Sequence, residues 1–250
     1  MTSVPQTETF APVQPHAGSK ASAIRSVASH LRFWPVAVFG LALDLWSKDW
    51  AFRTLDPQSS KVIIPGWLNF QLSLNPGALF GIGRGYAPLF VGASVLALMF
   101  VVYLFVHSTP RHRSMHVALG LVLAGAIGNL YDRTMVTAFV WDSPGTRQHQ
   151  VGKLLEEQPD RVKIGDYPTG NNPHWYSLGP NVTTGIRPVV RDFIRFDLQI
   201  AGVKLWPWIF NVADALLVVG VAILLMNFWL ERREEPAPAQ TVESFDVHRG

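Results

Sequence analysis

The chain has 250 residues, 48% hydrophobic and only 16% charged, with a formal net charge of +3 and a mean hydropathy of +0.18. Soluble domains carry about 25% charged residues, so the composition argues for a membrane protein and against a soluble enzyme. Cysteine is absent, which excludes a disulfide framework, a thiolate nucleophile and a cysteine-ligated metal; the scattered basic residues suit anionic lipid and give no nucleic-acid face.

Residues 1–32 are polar and rich in Pro, Ser and Ala, without the apolar core of a signal peptide, and read as a disordered cytoplasmic tail. Four apolar stretches follow, at about 33–52, 87–106, 115–131 and 206–230. A helix needs about 20 mostly apolar residues to cross a bilayer. The expected fold is therefore an all-α polytopic membrane protein with four transmembrane helices. Trp34, Trp46, Trp206, Trp208 and Trp229 read as interfacial anchors. Lys20, Arg25 and Arg32, the link His107–Ser114 with Arg111 and Arg113, and Arg232 with Arg233 put those flanks on the cytoplasmic side. Both termini are then cytoplasmic.

Two outer segments remain. Lys61–Leu74 alternates polar and apolar residues in part, as a half-exposed strand does, and predicts a small β-rich periplasmic element. Asp132–Leu205 is long, and 142–188 is rich in Gly, Pro, Asn and charge; such a loop is functional or disordered. Residues 231–250 read as a second cytoplasmic tail.

This topology gathers the unusual polar residues at one depth, near the outer surface. Asp44 and Lys48 are four apart on one helix face and form either a self-neutralising ion pair or a support for a site. Asn129, Asp132 and Arg133 fall at the outer end of the third stretch, where Arg133 alone would be a snorkelling anchor. Asn129 and Asn211 read equally as interhelical hydrogen-bonding groups, and Gly125 and Gly128 as close-packing positions. Asn75-Pro-Gly77 reads as a turn. Asp192 alone reads as an exposed loop acid. Asp214 stands apart: it sits about 12 Å along the fourth stretch from Trp206, with no cation within four residues. A carboxylate at the centre of a spanning helix costs roughly 2.5–3.5 kcal/mol, which marks it as functional. No histidine has metal-ligand spacing, and neither a Gly-x-Ser-x-Gly elbow nor a His-Glu-x-x-His helix occurs.

Taken in order, Asp44-x-x-x-Lys48, Asn75-Pro-Gly-Ala-Leu-Phe-Gly81, Gly128-Asn-Leu-Tyr-Asp-Arg133, Val190-Arg-Asp-Phe193 and Phe210-Asn-Val-Ala-Asp214 resemble the motifs of the lipoprotein signal peptidases, or type II signal peptidases, of bacterial inner membranes. The resemblance covers about residues 33–230. It implies an aspartic endopeptidase that cuts before a diacylglyceryl-modified cysteine, with prolipoproteins as substrates, membrane lipid around it, no metal or other cofactor, and globomycin occupying its site. It makes Asp192 and Asp214 the catalytic pair. It gives Asn129 and Arg133 a place against the lipid-bearing part of the substrate, and Asp132, Asn211, Asn75, Gly77, Asp44 and Lys48 supporting places. Nothing demands more than a monomer. One departure stands out: residues 134–189 separate two motifs that a short segment normally joins, and read as a periplasmic insertion.

Two carboxylates brought together share one proton, so that one activates water and the other donates. The rival classes are a proton- or ion-coupled transporter, which would spread its polar groups across the bilayer, and a membrane scaffold whose outer loop binds a partner.

Overall fold

The computed structural model describes residues 22–76, 87–143, 148–200, 203–204 and 206–234. Of the expected disordered tails 1–32 and 231–250, residues 1–21 and 235–250 lie outside these residues, as does Gly77 with the rest of its motif to Gly81, whereas 27–32 and 231–234 are helical. The described residues include four α-helices: α1 (Val27–Thr54), α2 (Ala87–His107), α3 (Arg113–Met135) and α4 (Val212–Glu234). α3 is the central one and packs against the other three. Small residues permit this. A Cβ on Gly125 would run into the Ala213 carbonyl and Leu217, and one on Gly128 into the Asp44 carboxylate. Phe33, Ala37, Val101, Phe105, Leu119, Val122 and Leu123 fill the space between helices away from the site. At that end Ala23 donates its backbone N–H to Ser108 O at 2.9 Å, and Arg32 donates to Pro110 O at 3.2 Å. The start of α1 and the basic α2–α3 link therefore share one end of the bundle.

The all-α, four-span expectation does not hold. The chain is about 29% strand, in two multi-stranded antiparallel sheets, and only two helices among the described residues, Arg113–Met135 and Val212–Leu230, are long and apolar enough to cross a membrane. The causes are local. α1 has the length, at 28 residues, but Asp44, Lys48, Asp49 and Arg53 crowd its second half. In α2 the apolar segment of described residues is short, Val91–His107.

The strand content lies at the other end of the bundle. A four-stranded sheet runs in the order β1 (Lys61–Ile64), β2 (Leu68–Asn75), β8 (Val190–Phe196), β11 (Ile209–Phe210). The alternating segment forms its β1–β2 hairpin, turned at Gly66 with φ 75°. The long segment before Val190 is folded, not a loop. It forms a five-stranded antiparallel sheet from β3 (Thr137–Ser143), β4 (Gln148–Gln158), β5 (Arg161–Gly165), β6 (His174–Ser177) and β7 (Thr183–Pro188), ordered β6-β5-β4-β3-β7. β9 (Gln199–Ile200) and β10 (Val203–Lys204) make a separate small hairpin. Phe139, Trp141, Val162 and Ile164 give the five-stranded sheet its own buried core. Its two chain ends meet. Thr137 pairs with Pro188, and Val189 N–H bonds Val136 O at 3.0 Å. Tyr167, between β5 and β6, packs among Val136, Ala138 and Val189 and lies edge-on to Phe52, 6.2 Å between centroids.

Candidate active site

α4 begins later than the hydropathy suggests. Trp206–Trp208 lie outside it, Ile209–Phe210 pair with β8, and the helix starts at Val212. Asp214 is thus in the first turn. Asn211 accepts the Asp214 backbone N–H on Oδ1 at 3.0 Å, and Asp214 Oδ2 accepts the Asn211 backbone N–H at 3.1 Å. This reciprocal pair is a capping box, readable in the sequence as Asn-x-x-Asp. A carboxylate there is favoured by the positive end of the helix dipole, so the penalty expected for mid-helix burial does not apply. Asp214 is half-buried.

Asp192 is on β8, the inner strand between β2 and β11, and is only 3% exposed, not an exposed loop acid. The Asn211 side-chain amide donates to its Oδ1 at 2.7 Å. Asn75, at the end of β2, lies 3.5 Å from Oδ2. Burial, and then the facing charge of Asp214, push the Asp192 carboxyl up to about 8.

Asn129 on α3 closes the other side. It donates to Asp214 Oδ1 at 2.7 Å, while its own Oδ1 accepts Asn211 Nδ2 at 3.1 Å and Lys48 Nζ at 3.3 Å. Arg133, one turn further on, is close enough to feel the charges of Asp214, Asp192 and Asp132. Beneath lies a fully buried charge cluster. Lys48 sits 2.8 Å from Asp44 and 3.4 Å from Asp132. The second Asp44 oxygen takes the Ala213 N–H at 2.8 Å, which ties α1 to the start of α4. The structure therefore brings together nine of the ten residues singled out from sequence, Gly77 being the one outside the described residues.

One participant was not singled out. Arg191 bonds Asp132 through its backbone N–H at 3.0 Å and through Nε and Nη2 at 3.2 and 2.7 Å. Strand alternation puts Arg191 on the face of β8 opposite Asp192, but only the fold brings Asp132 to that face.

The family model for signal peptidase II matches residues 36–230. The chain belongs to the signal peptidase II family. A lipoprotein signal peptidase of Rhodopirellula baltica is 33% identical over 200 residues, covering 78% of this chain and 70% of that one. One of Clostridium novyi is 36% identical over 98 residues, 39% of this chain and 66% of the relative. Among solved structures, a bacterial membrane enzyme determined by the in meso method at 2.3 Å shares the fold with a TM-score of 0.56 and 22% identity, covering 89% of this chain and 98% of that one. A second, at 1.9 Å, has a TM-score of 0.51 and 24% identity, covering 80% and 91%. Within the signal peptidase II match, all the site residues described above fall between Asp44 and Asp214.

Proposed function

We propose that this membrane peptidase of lipoprotein processing works as an aspartic endopeptidase, with Asp192 and Asp214 sharing one proton. The observation that carries the reading is Asn211, which donates its side-chain amide to Asp192 and its backbone N–H to Asp214. One residue thereby sets the position of both carboxylates. Asp192, buried and pushed up to about 8, holds the proton. Asp214, half-buried and fixed by N–H donors on both oxygens, takes a proton from water. The water attacks the carbonyl carbon before the diacylglyceryl-modified cysteine, Asp192 protonates the carbonyl oxygen to give a gem-diol, and collapse passes a proton to the leaving amine. Asn129 and Arg133 have donors for lipid ester or peptide carbonyls.

α3 and α4 cross the bacterial inner membrane in this reading, with the basic α2–α3 link cytoplasmic and the dyad near the periplasmic face. Both chain termini are then on the cytoplasmic side. Diacylglyceryl-modified prolipoproteins are the substrates, and the enzyme acts as a monomer.

Cleavage of a lipidated precursor by purified Asp192→Asn and Asp214→Asn enzymes tests the dyad. Each substitution is expected to abolish product while the protein still inserts and binds globomycin; robust cleavage by either variant rules the mechanism out.

A further inference from the structure

Arg191 occupies the open position of Val190-Arg-Asp-Phe193, where the motif specifies nothing. Its guanidinium and its backbone N–H converge on one carboxylate, Asp132, which is fully buried; the Arg191 side chain itself is 12% exposed. Such charge-assisted contacts fix geometry as well as add energy. The backbone contact comes from the residue next to Asp192, so Asp132 holds β8 against the end of α3 one residue before the carboxylate that matters.

The same contact reaches the other half of the site. Asp44, Asp132, Lys48 and Arg191 form a cluster of two anions and two cations. Lys48 is shared among Asp44 at 2.8 Å, Asp132 at 3.4 Å and Asn129 Oδ1 at 3.3 Å. Because Arg191 neutralises Asp132, Lys48 remains in reach of Asn129, and Asn129 in turn holds Asp214. Without Arg191, two buried carboxylates compete for one ammonium. An unpaired buried charge is strongly unfavourable, so Lys48 moves towards Asp132 and gives up its neutral partner, Asn129.

We propose that Arg191 is a positioning residue for the dyad: through Asp132 it sets the register of Asp192 from one side and, by way of Lys48 and Asn129, the orientation of Asp214 from the other. This rests on the dyad reading above.

The test is steady-state cleavage of a lipidated precursor by full-length Arg191→Gln and Arg191→Lys enzymes in detergent, per folded molecule, beside Asp192→Asn. Misplacement of a reacting group by about 1 Å costs on the order of 10²-fold in rate. Arg191→Gln is expected to lose kcat on that scale with KM changed by less than about threefold, and Arg191→Lys, which keeps the charge but not the fork, to fall between it and the native enzyme. If Arg191→Gln does not accumulate, Arg191→Lys decides alone: a reduced kcat supports the role and a native kcat overturns it. Native kcat per folded molecule in Arg191→Gln, even with a lower yield, overturns it while Asp192→Asn remains inactive. Activity in Asp192→Asn instead overturns the dyad reading itself.

Discussion

Val136 and Val189 are joined by a 3.0 Å backbone hydrogen bond, although 52 residues lie between them. One residue inward from each, Thr137 and Pro188 pair across β3 and β7. The five-stranded sheet therefore leaves and re-enters the peptidase at a single neck, and Asp192 lies three residues beyond it. A two-residue hairpin turn spans the same gap as the paired strands it would replace. Replacing residues 138–187 by a short Gly-containing turn is expected to leave precursor cleavage measurable while lowering thermal stability, because Tyr167 is lost from its packing against Phe52 and Val189. Complete loss of cleavage in a folded excision variant would show that the sheet takes part in the reaction.

Asp192 predicts the alkaline behaviour. With its carboxyl pushed up to about 8, kcat/KM, which reports the free enzyme, is expected to fall with a midpoint near pH 8 as the shared proton is lost. A profile flat to pH 9.5 would contradict this.

The same shift links pH to stability. The ordinary Asp value is 3.8 and the folded value is about 8. Between them the native state binds a proton that the unfolded chain has released, so stability falls as pH rises through this window. Below about pH 4 the contribution is fully present, and above about pH 8 it is gone. Asp192→Asn is neutral throughout. Its melting temperature relative to the native enzyme is therefore expected to rise from pH 4 to pH 8 and then level off, as followed by thermal unfolding in detergent.

Asn211→Ala removes the cap of α4 and the amide that holds Asp192. Loss of such a cap costs about 0.5–2 kcal/mol. Activity is expected to fall further than stability does, by on the order of 10²-fold. Asn211→Asp keeps a capping oxygen but sets a third carboxylate, fully buried, beside the pair and against the acceptors that the amide served, and is expected to recover neither stability nor rate.

Gly128→Ala places a methyl group against the Asp44 carboxylate. Overpacking of this kind costs about 1–3 kcal/mol. The shift here falls on the ion pair with Lys48, so both the denaturation midpoint and kcat are expected to drop. Gly92→Ala, where an added Cβ meets nothing within 4 Å, serves as the control and should change neither.

The residues of the site were legible in the sequence because each lies in a short ordered motif and because polar groups near apolar runs are few. Their surroundings were less so. Counting the apolar run from Trp206 puts Asp214 two or three turns into the fourth helix, but pairing of Ile209–Phe210 with β8 delays the helix to Val212 and leaves Asp214 in its first turn. The five-stranded sheet is hard to read because Gly152, Gly185 and Pro188 fall within its strands and many of its residues are polar, which composition alone cannot separate from a loop. Its core rests on Phe139, Trp141, Val162 and Ile164, four residues scattered over two strands. Arg191 was passed over because its partner, Asp132, is 59 residues away.

The start of α4 has a consequence for biosynthesis. Asp44 and Lys48 come from the first helix, Asn129 from the third, Asp192 from a strand after the inserted sheet, and Asp214 from the first turn of the last helix. A ribosome-bound chain that has not yet delivered α4 has neither Asn211 to orient Asp192 nor Asp214 to activate water. Proteolytic competence in the proposed mechanism therefore arrives in one step, with α4, which brings the second carboxylate and the residue that orients the first.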